Sequence, residues 1–212
     1  MKVQYLGHAG FLLEDLLIDP FINGNPSCPI KCEDIKCQII CVTHDHPDHL
    51  GDTVEIAKQN NATVVTIFEL ASQLESEGVK TVGMNIGGTV TVGDWKIKMV
   101  EAKHSCVLGS PAGFILENVR LGKKFYHAGD TSLFSDMRLI GEVGIDVAFL
   151  PIGDHFTMGI ADAVRAVEFV QPKLAVPMHY NTFPMIAANP EKFKSATTTS
   201  VEIFIGGEIK EL

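Results

Sequence analysis

Six consecutive residues, His44-Asp45-His46-Pro47-Asp48-His49, place three imidazoles and two carboxylates in one short segment. Imidazole nitrogens and carboxylate oxygens are the donors that hold zinc, manganese or iron, and a cation so held acidifies a bound water until it attacks at neutral pH. Without a cation the same crowding is a cost, because buried polar groups need partners. His44 and His46 are two apart, so in extended chain their side chains point the same way. Pro47 stiffens the turn, and Asp48 and His49 face another side as a helix begins. Three more donors, His104, Asp130 and His179, each close an apolar run. Donors at the ends of several strands converge at one rim of a sheet sandwich. The candidate metal ligands are therefore His44, His46, Asp48, His49, His104, Asp130 and His179.

The elements that must position them follow from pattern and punctuation. Residues 2–6, 11–14 and 16–19 read as strands, with a tight turn at Glu14-Asp15 and a stop at Asp19-Pro20. Residues 21–37 are rich in Pro, Gly and Asn and read as loop. The buried strand 38–42 feeds the histidine segment, and a helix follows to about Asn60. Residues 63–67 are β-branched and read as a strand, and 69–77 as a short helix capped by Gly78. Gly93-Asp94 joins strands 89–92 and 95–100 as a hairpin, with the second running on to His104. The pattern then restarts. Strands are expected at 114–117, 124–127, 146–151, 174–179 and 201–205. Helices are expected at 133–142, capped by Thr131 or Ser132, at 161–170 and near 190–196. Pro177 assigns its strand to an edge or an irregular point. Two mixed sheets face to face with helices outside would bury this many strands, in one domain spanning 1–212.

Composition narrows the partners. A net charge of −9 excludes nucleic acid as the main one, since neutralising phosphates takes a basic surface. The start of the chain lacks a signal-peptide pattern, and no window is apolar enough for a membrane span. Five cysteines, an odd number, point to a reducing cytoplasm. Cys28, Cys32, Cys37 and Cys41 do not have the paired hooks of a structural zinc knot and read as reduced thiols.

The segment reads His-x-His-x-Asp-His without departure, and it resembles the signature of the metallo-β-lactamase superfamily. The order Asp19, histidine segment, His104, Asp130, His179 extends that resemblance over essentially the whole chain. It implies a four-layer αββα sandwich, in agreement with the element pattern. It also implies two divalent ions, zinc first with manganese or iron as alternatives. His44, His46 and His104 would hold one ion, Asp48, His49 and His179 the other, and Asp130 would bridge them. Asp19 would support the histidine segment by hydrogen bonds. Gly7-His8-Ala9-Gly10, residues 126–131 and residues 151–159 look like small metal-dependent hydrolases near the ascorbate-6-phosphate lactonases and the N-acyl-phosphatidylethanolamine phospholipases.

The expected function is hydrolysis of a small ester, lactone or phosphodiester by a metal-bridging hydroxide. With two carboxylates, two dications and a hydroxide, the site carries about +1 charge and suits an anionic substrate. Catalytic candidates are Asp48 at the second ion, with His8 and His155 in glycine-containing loops where either binds substrate or protonates a leaving group. His127 and Cys106 lie close to ligands in sequence and read as structural. Phe156, Met158, Phe183 and Met185 are candidates for an apolar pocket wall, with core packing the equal alternative. Two other functions compete: a non-catalytic or regulatory metal-binding protein, and a di-iron oxidoreductase. The second is disfavoured because its relatives carry glutamate where this chain has His46. A homo-oligomer is left open.

Overall fold

The computed structural model describes all 212 residues. In chain order it begins β1 (Lys2–Gly7), β2 (Gly10–Leu13), β3 (Leu16–Ile18) and β4 (Ile39–Cys41). Then come α1 (Pro47–Leu50), α2 (Thr53–Asn60), β5 (Thr63–Ile67), α3 (Phe68–Ser76) and β6 (Lys80–Met84). The second stretch has β7 (Thr89–Val92), β8 (Trp95–Glu101), β9 (Ala112–Asn118), β10 (Lys123–His127) and α4 (Met137–Gly141). It continues through β11 (Val147–Pro151), α5 (Ile160–Val170), β12 (Leu174–Met178), α6 (Pro190–Ala196) and β13 (Ser200–Val201), and β14 (Ile209–Glu211) closes the chain. No helix is long and apolar enough to cross a membrane.

Two compact units share these elements. The first holds residues 1–85, 105–111 and 204–212; the second holds 86–104 and 112–203. The sheet of the first runs β14-β1-β2-β3-β4-β5-β6. Its β1-β2-β3 part is an antiparallel meander, and β3 to β6 are parallel. Crossover helices α2 and α3 make the parallel part possible, since parallel neighbours cannot be joined by a tight turn. β3 and β4 are buried throughout, as strands covered on both faces must be. Tyr5 and Phe11 pack with tilted rings 4.8 Å apart, and Phe204 packs edge-on against both.

The sheet of the second unit runs β13-β12-β11-β10-β9-β8-β7. β7 to β10 are antiparallel, and β10 to β13 are parallel. Trp95, Phe125 and Phe149 form its aromatic core, the two phenylalanines stacked at 6.2 Å. α5 buries Ala163, Ala166, Val167 and Val170. Val164 is only half-buried.

Several expectations need correction. β6 and β14 are strands the pattern missed: β6 is a half-exposed edge strand containing Gly83, and β14 is a three-residue edge strand on β1. The strand expected at 201–205 ends at Val201, and β8 stops at Glu101, short of His104. The helix expected over 133–142 is only Met137–Gly141, and its N-cap is Asp136. Thr131 is occupied otherwise: its hydroxyl donates to Ser132 O and accepts from Lys103 N. Pro177 lies on β12, second from the edge. β13 pairs only with Leu174 and Ala175, so no ladder partner is lost at the proline.

Candidate metal centre

Within the first unit, β4 delivers the histidine loop and β3 delivers its support. Asp19, directly after β3, is fully buried. It accepts the Thr43 backbone N–H at 2.8 Å and the Thr43 hydroxyl at 2.7 Å. His49 Nδ1 lies 2.8 Å from Asp19 Oδ2. A carboxylate only accepts, so His49 carries its proton on Nδ1 and keeps Nε2 as the lone-pair nitrogen. The same logic extends one bond further. The Thr43 hydroxyl proton goes to Asp19, so His44 Nδ1, 3.0 Å from that oxygen, is the donor and His44 Nε2 carries the lone pair. His44 Nε2 stands 3.0 Å from His46 Nδ1. One buried carboxylate thus sets the tautomers of two histidines, a common arrangement behind metal-binding imidazoles.

The other histidine-loop carboxylates differ in role. Asp48 Oδ2 is 3.1 Å from Nε2 of the fully buried His8. Asp45 accepts the backbone N–H groups of Val107 and Leu108 at 2.9 and 2.8 Å, tying residues 105–111 to the histidine loop. Sequence reasoning gave Asp45 no role; its place between two histidines was the only signal. Thr43, as relay between Asp19 and His44, was likewise missed.

Within the second unit, Asp130 follows β10, His179 follows β12, and His104 lies three residues past β8. Asp130 Oδ2 is 3.0 Å from His179 Nε2 and 3.6 Å from His104 Nε2. The backbone around them is cross-tied. Lys103 N–H donates to Thr131 Oγ1 and Ser132 N–H to Lys103 O, so the residues beside His104 and Asp130 are fastened together. Met158 N–H donates to Thr131 O, which brings the 153–159 loop to the same turn. Gly153 is packed so tightly that a Cβ there would lie 2.2 Å from His179 O. Asp154, His155 and His179 all adopt left-handed backbone, with φ of +58°, +48° and +54°.

The remaining candidates are placed as follows. His127 is fully buried, and its Nδ1 accepts the Gly129 N–H at 3.2 Å. His155 is exposed, its ring edge-on to Phe156 at 4.4 Å. Met158 is core, at 1% exposure, whereas Phe156 and Met185 are about half exposed, at 49% and 59%. All five cysteines are free. Burial, reinforced by the Asp52 and Glu55 carboxylates, pushes the Cys32 thiol up to about 12. Burial and then the nearby Asp15 carboxylate do the same for Cys37. Sγ of Cys32 and carboxylate oxygens of Asp52 and Glu55 lie within 4.8 Å of one another. Asp52 is already engaged, however, by Ile22 N, Asn23 N and Asn23 Nδ2, as a turn former.

The donor types and spacings within each unit suit metal ligation. Nitrogens and carboxylate oxygens converge at 3.0–3.6 Å. Two tetrahedral ligands of one ion, each about 2.1 Å away, are separated by about 3.4 Å. Mixed imidazole and carboxylate donors suit zinc, manganese or iron.

Comparison with known proteins agrees. Residues 14–180 match the family model described as the beta-lactamase superfamily domain. A "UPF0173 metal-dependent hydrolase" of Archaeoglobus fulgidus is 52% identical over 210 residues, covering 92% of this chain and 90% of that protein. A solved metallo hydrolase of Ignicoccus hospitalis superposes with a TM-score of 0.92 at 37% identity, covering 100% of this chain and 98% of the other. A metallo-β-lactamase fold protein of Bacillus subtilis superposes at 0.76 with 16% identity, over 99% of each chain, and shows the fold alone. With the His-x-His-x-Asp-His loop at the end of β4 and Asp130 between two histidines, the chain belongs to the metallo-β-lactamase superfamily, within its family of metal-dependent hydrolases.

Proposed function

We propose that the protein is a dinuclear metal-dependent hydrolase of a small ester, lactone or phosphodiester, acting in a reducing cytoplasm. His44, His46 and His104 would hold one ion, Asp48, His49 and His179 the other, and Asp130 both. The observation that carries this reading is the placement of Asp130. One oxygen of its buried carboxylate is 3.0 Å from His179 Nε2 and 3.6 Å from His104 Nε2, two nitrogens that the superfamily pattern assigns to different ions. When bound, the two ions supply an acidified water as nucleophile and a positive clamp for the oxyanion.

The chain's own residues do the rest. Asp19 and Thr43 hold His44 and His49 in the tautomers that present Nε2. Asp48, His155 and His8 are the residues to which the reading assigns catalytic roles. Asp48, beside His8, would help hold the second ion. His155 stands exposed in the 153–159 loop, where an imidazole can pass a proton to a leaving group. An excess of metal charge over carboxylate charge favours an anionic substrate.

Elemental analysis of the purified protein is expected to give two divalent ions per chain. Asp130→Ala is expected to lower hydrolysis of a panel of phosphodiesters, lactones and esters by at least about 10³-fold, because it removes a donor from both ions at once. Full activity in rigorously metal-free protein would sink the proposal.

A further inference from the structure

We infer that His8 is a positioning residue for the second metal ion, and that it acts by donating its Nε2–H to Asp48. This rests on the dinuclear reading above and gives His8 a different job from touching substrate.

The contact is built rather than incidental. His8 is fully buried, and its Nε2 faces Asp48 Oδ2 at 3.1 Å. The carboxylate has no proton to offer, so the nitrogen facing it must donate; two lone pairs at that distance would repel. The backbone beneath the ring is held in an uncommon shape. His8 has φ +58°, a left-handed conformation that costs a non-glycine residue stability. Gly7 before it has φ +86°, and a Cβ there would lie 2.9 Å from Ser27 Cβ and 3.1 Å from Asn25 Nδ2. The Tyr5 hydroxyl donates to the His8 carbonyl at 3.0 Å. Phe21 and His49 pack edge-on against the ring at 5.9 and 5.5 Å.

The same unit repeats the device one ligand along. Asp19 also has left-handed backbone, φ +43°, is also fully buried, and holds His49 Nδ1 at 2.8 Å. β1 and β3 both run antiparallel to β2, so His8 and Asp19 leave the sheet at the same edge. Two neighbouring ligands, Asp48 and His49, are thus each held from outside their loop. Asp19 supplies an acceptor to the imidazole, and His8 supplies a donor to the carboxylate.

The test compares His8→Asn with His8→Gln in the full chain. Asn accepts left-handed backbone well, which protects the fold, but its amide is too short to reach Asp48. The Gln amide nitrogen reaches about where Nε2 sits and can donate to the same oxygen. Metal-free wild type and both variants are titrated with Co(II), following the visible spectrum, and ion affinities are measured by competition with a chelator. Wild type is expected to take up two ions. His8→Asn is expected to bind one of them at least about tenfold more weakly with an altered spectrum, and His8→Gln to recover most of that affinity and the native spectrum. If His8→Gln is as impaired as His8→Asn, the imidazole is itself a ligand and the inference is overturned. If His8→Asn binds both ions as wild type does, His8 only packs, and the inference fails while the dinuclear reading stands. Wild type binding no second ion would remove that reading and this one with it.

Discussion

Asp19 illustrates how much one buried carboxylate organises. Its oxygens take the Thr43 N–H, the Thr43 hydroxyl and the His49 Nδ1–H, and through Thr43 they reach His44. Replacing it with alanine leaves three buried donors without their acceptor and lets both imidazoles turn. Asp19→Ala is therefore expected to weaken metal binding by about 10–100-fold, measured by chelator competition. Tyr126 is the contrasting case. Its hydroxyl is buried with no hydrogen-bond partner, and burial pushes its pKa well up. A buried donor without a partner costs about 1–3 kcal/mol, so Tyr126→Phe is expected to hold or raise the melting temperature. A clear fall would mean that the hydroxyl has a partner in solution.

The candidate site residues follow the carboxyl ends of parallel strands: Asp19 after β3, the histidine loop after β4, Asp130 after β10 and His179 after β12. Open sheets with parallel strands present sites there because loops at that end are free to diverge. The other end of the second sheet is held by Asp146. Its oxygens accept Lys173 Nζ at 2.7 Å and Lys124 N at 2.8 Å, fastening the starts of β10 and β12 beside β11. Burial pushes the Asp146 carboxyl up, but the Lys173 ammonium and the Lys124 N–H outweigh it and hold it below its usual value. The depressed value means that its contribution is present above the unfolded-state pKa, about 3.9, and is lost as pH falls through the folded value. Asp146→Asn is expected to cost about 1 kcal/mol at pH 7, with the difference from wild type fading below about pH 4 in urea melts. Gly153 fixes the loop that carries His155 against β12. Gly153→Ala drives a methyl into His179 O and is expected to cost more than about 3 kcal/mol and to impair metal uptake.

Neither unit is a continuous stretch of sequence, so neither can be excised by a single cut. We propose on that ground that residues 1–212 fold as one domain, with a single calorimetric unfolding transition. The last residues belong to that design: β14 pairs with β1, and Phe204 packs on Tyr5 and Phe11. Ions bound only by the folded state raise its stability by mass action, about 4 kcal/mol at a thousandfold excess over Kd. Stripping the metal with a chelator is accordingly expected to lower the melting temperature by several degrees and re-addition to restore it. An unchanged melting curve would count against ions held by folded-state donors.

The candidate donors were legible in local spacing. His-x-His-x-Asp-His sits within one turn of chain, so no distant contact is needed to bring its donors together; an apolar run marked β4, β-branched residues β5, the Gly93-Asp94 turn β7 and β8, and helical period α5. The superfamily resemblance pointed to Asp19 as a support for the histidine segment, and the structure has it 2.8 Å from His49 Nδ1, 30 residues along. What sequence did not supply was the rest of that layer of contacts: His8 and Asp48 are 40 residues apart, and Asp45 and Val107 are 62 apart. Each meets its partner only because strand order brings separate loops to one edge. The weak strands β6 and β14 were invisible for a related reason: a short edge strand is defined by the neighbour it pairs with, and its own residues carry little pattern. Sequence determined which candidate donors lie close together along the chain; tertiary structure decided which nitrogen His44 and His49 present and which residues hold His49 and Asp48 still, because tautomer and orientation are set by hydrogen bonds to residues far along the chain.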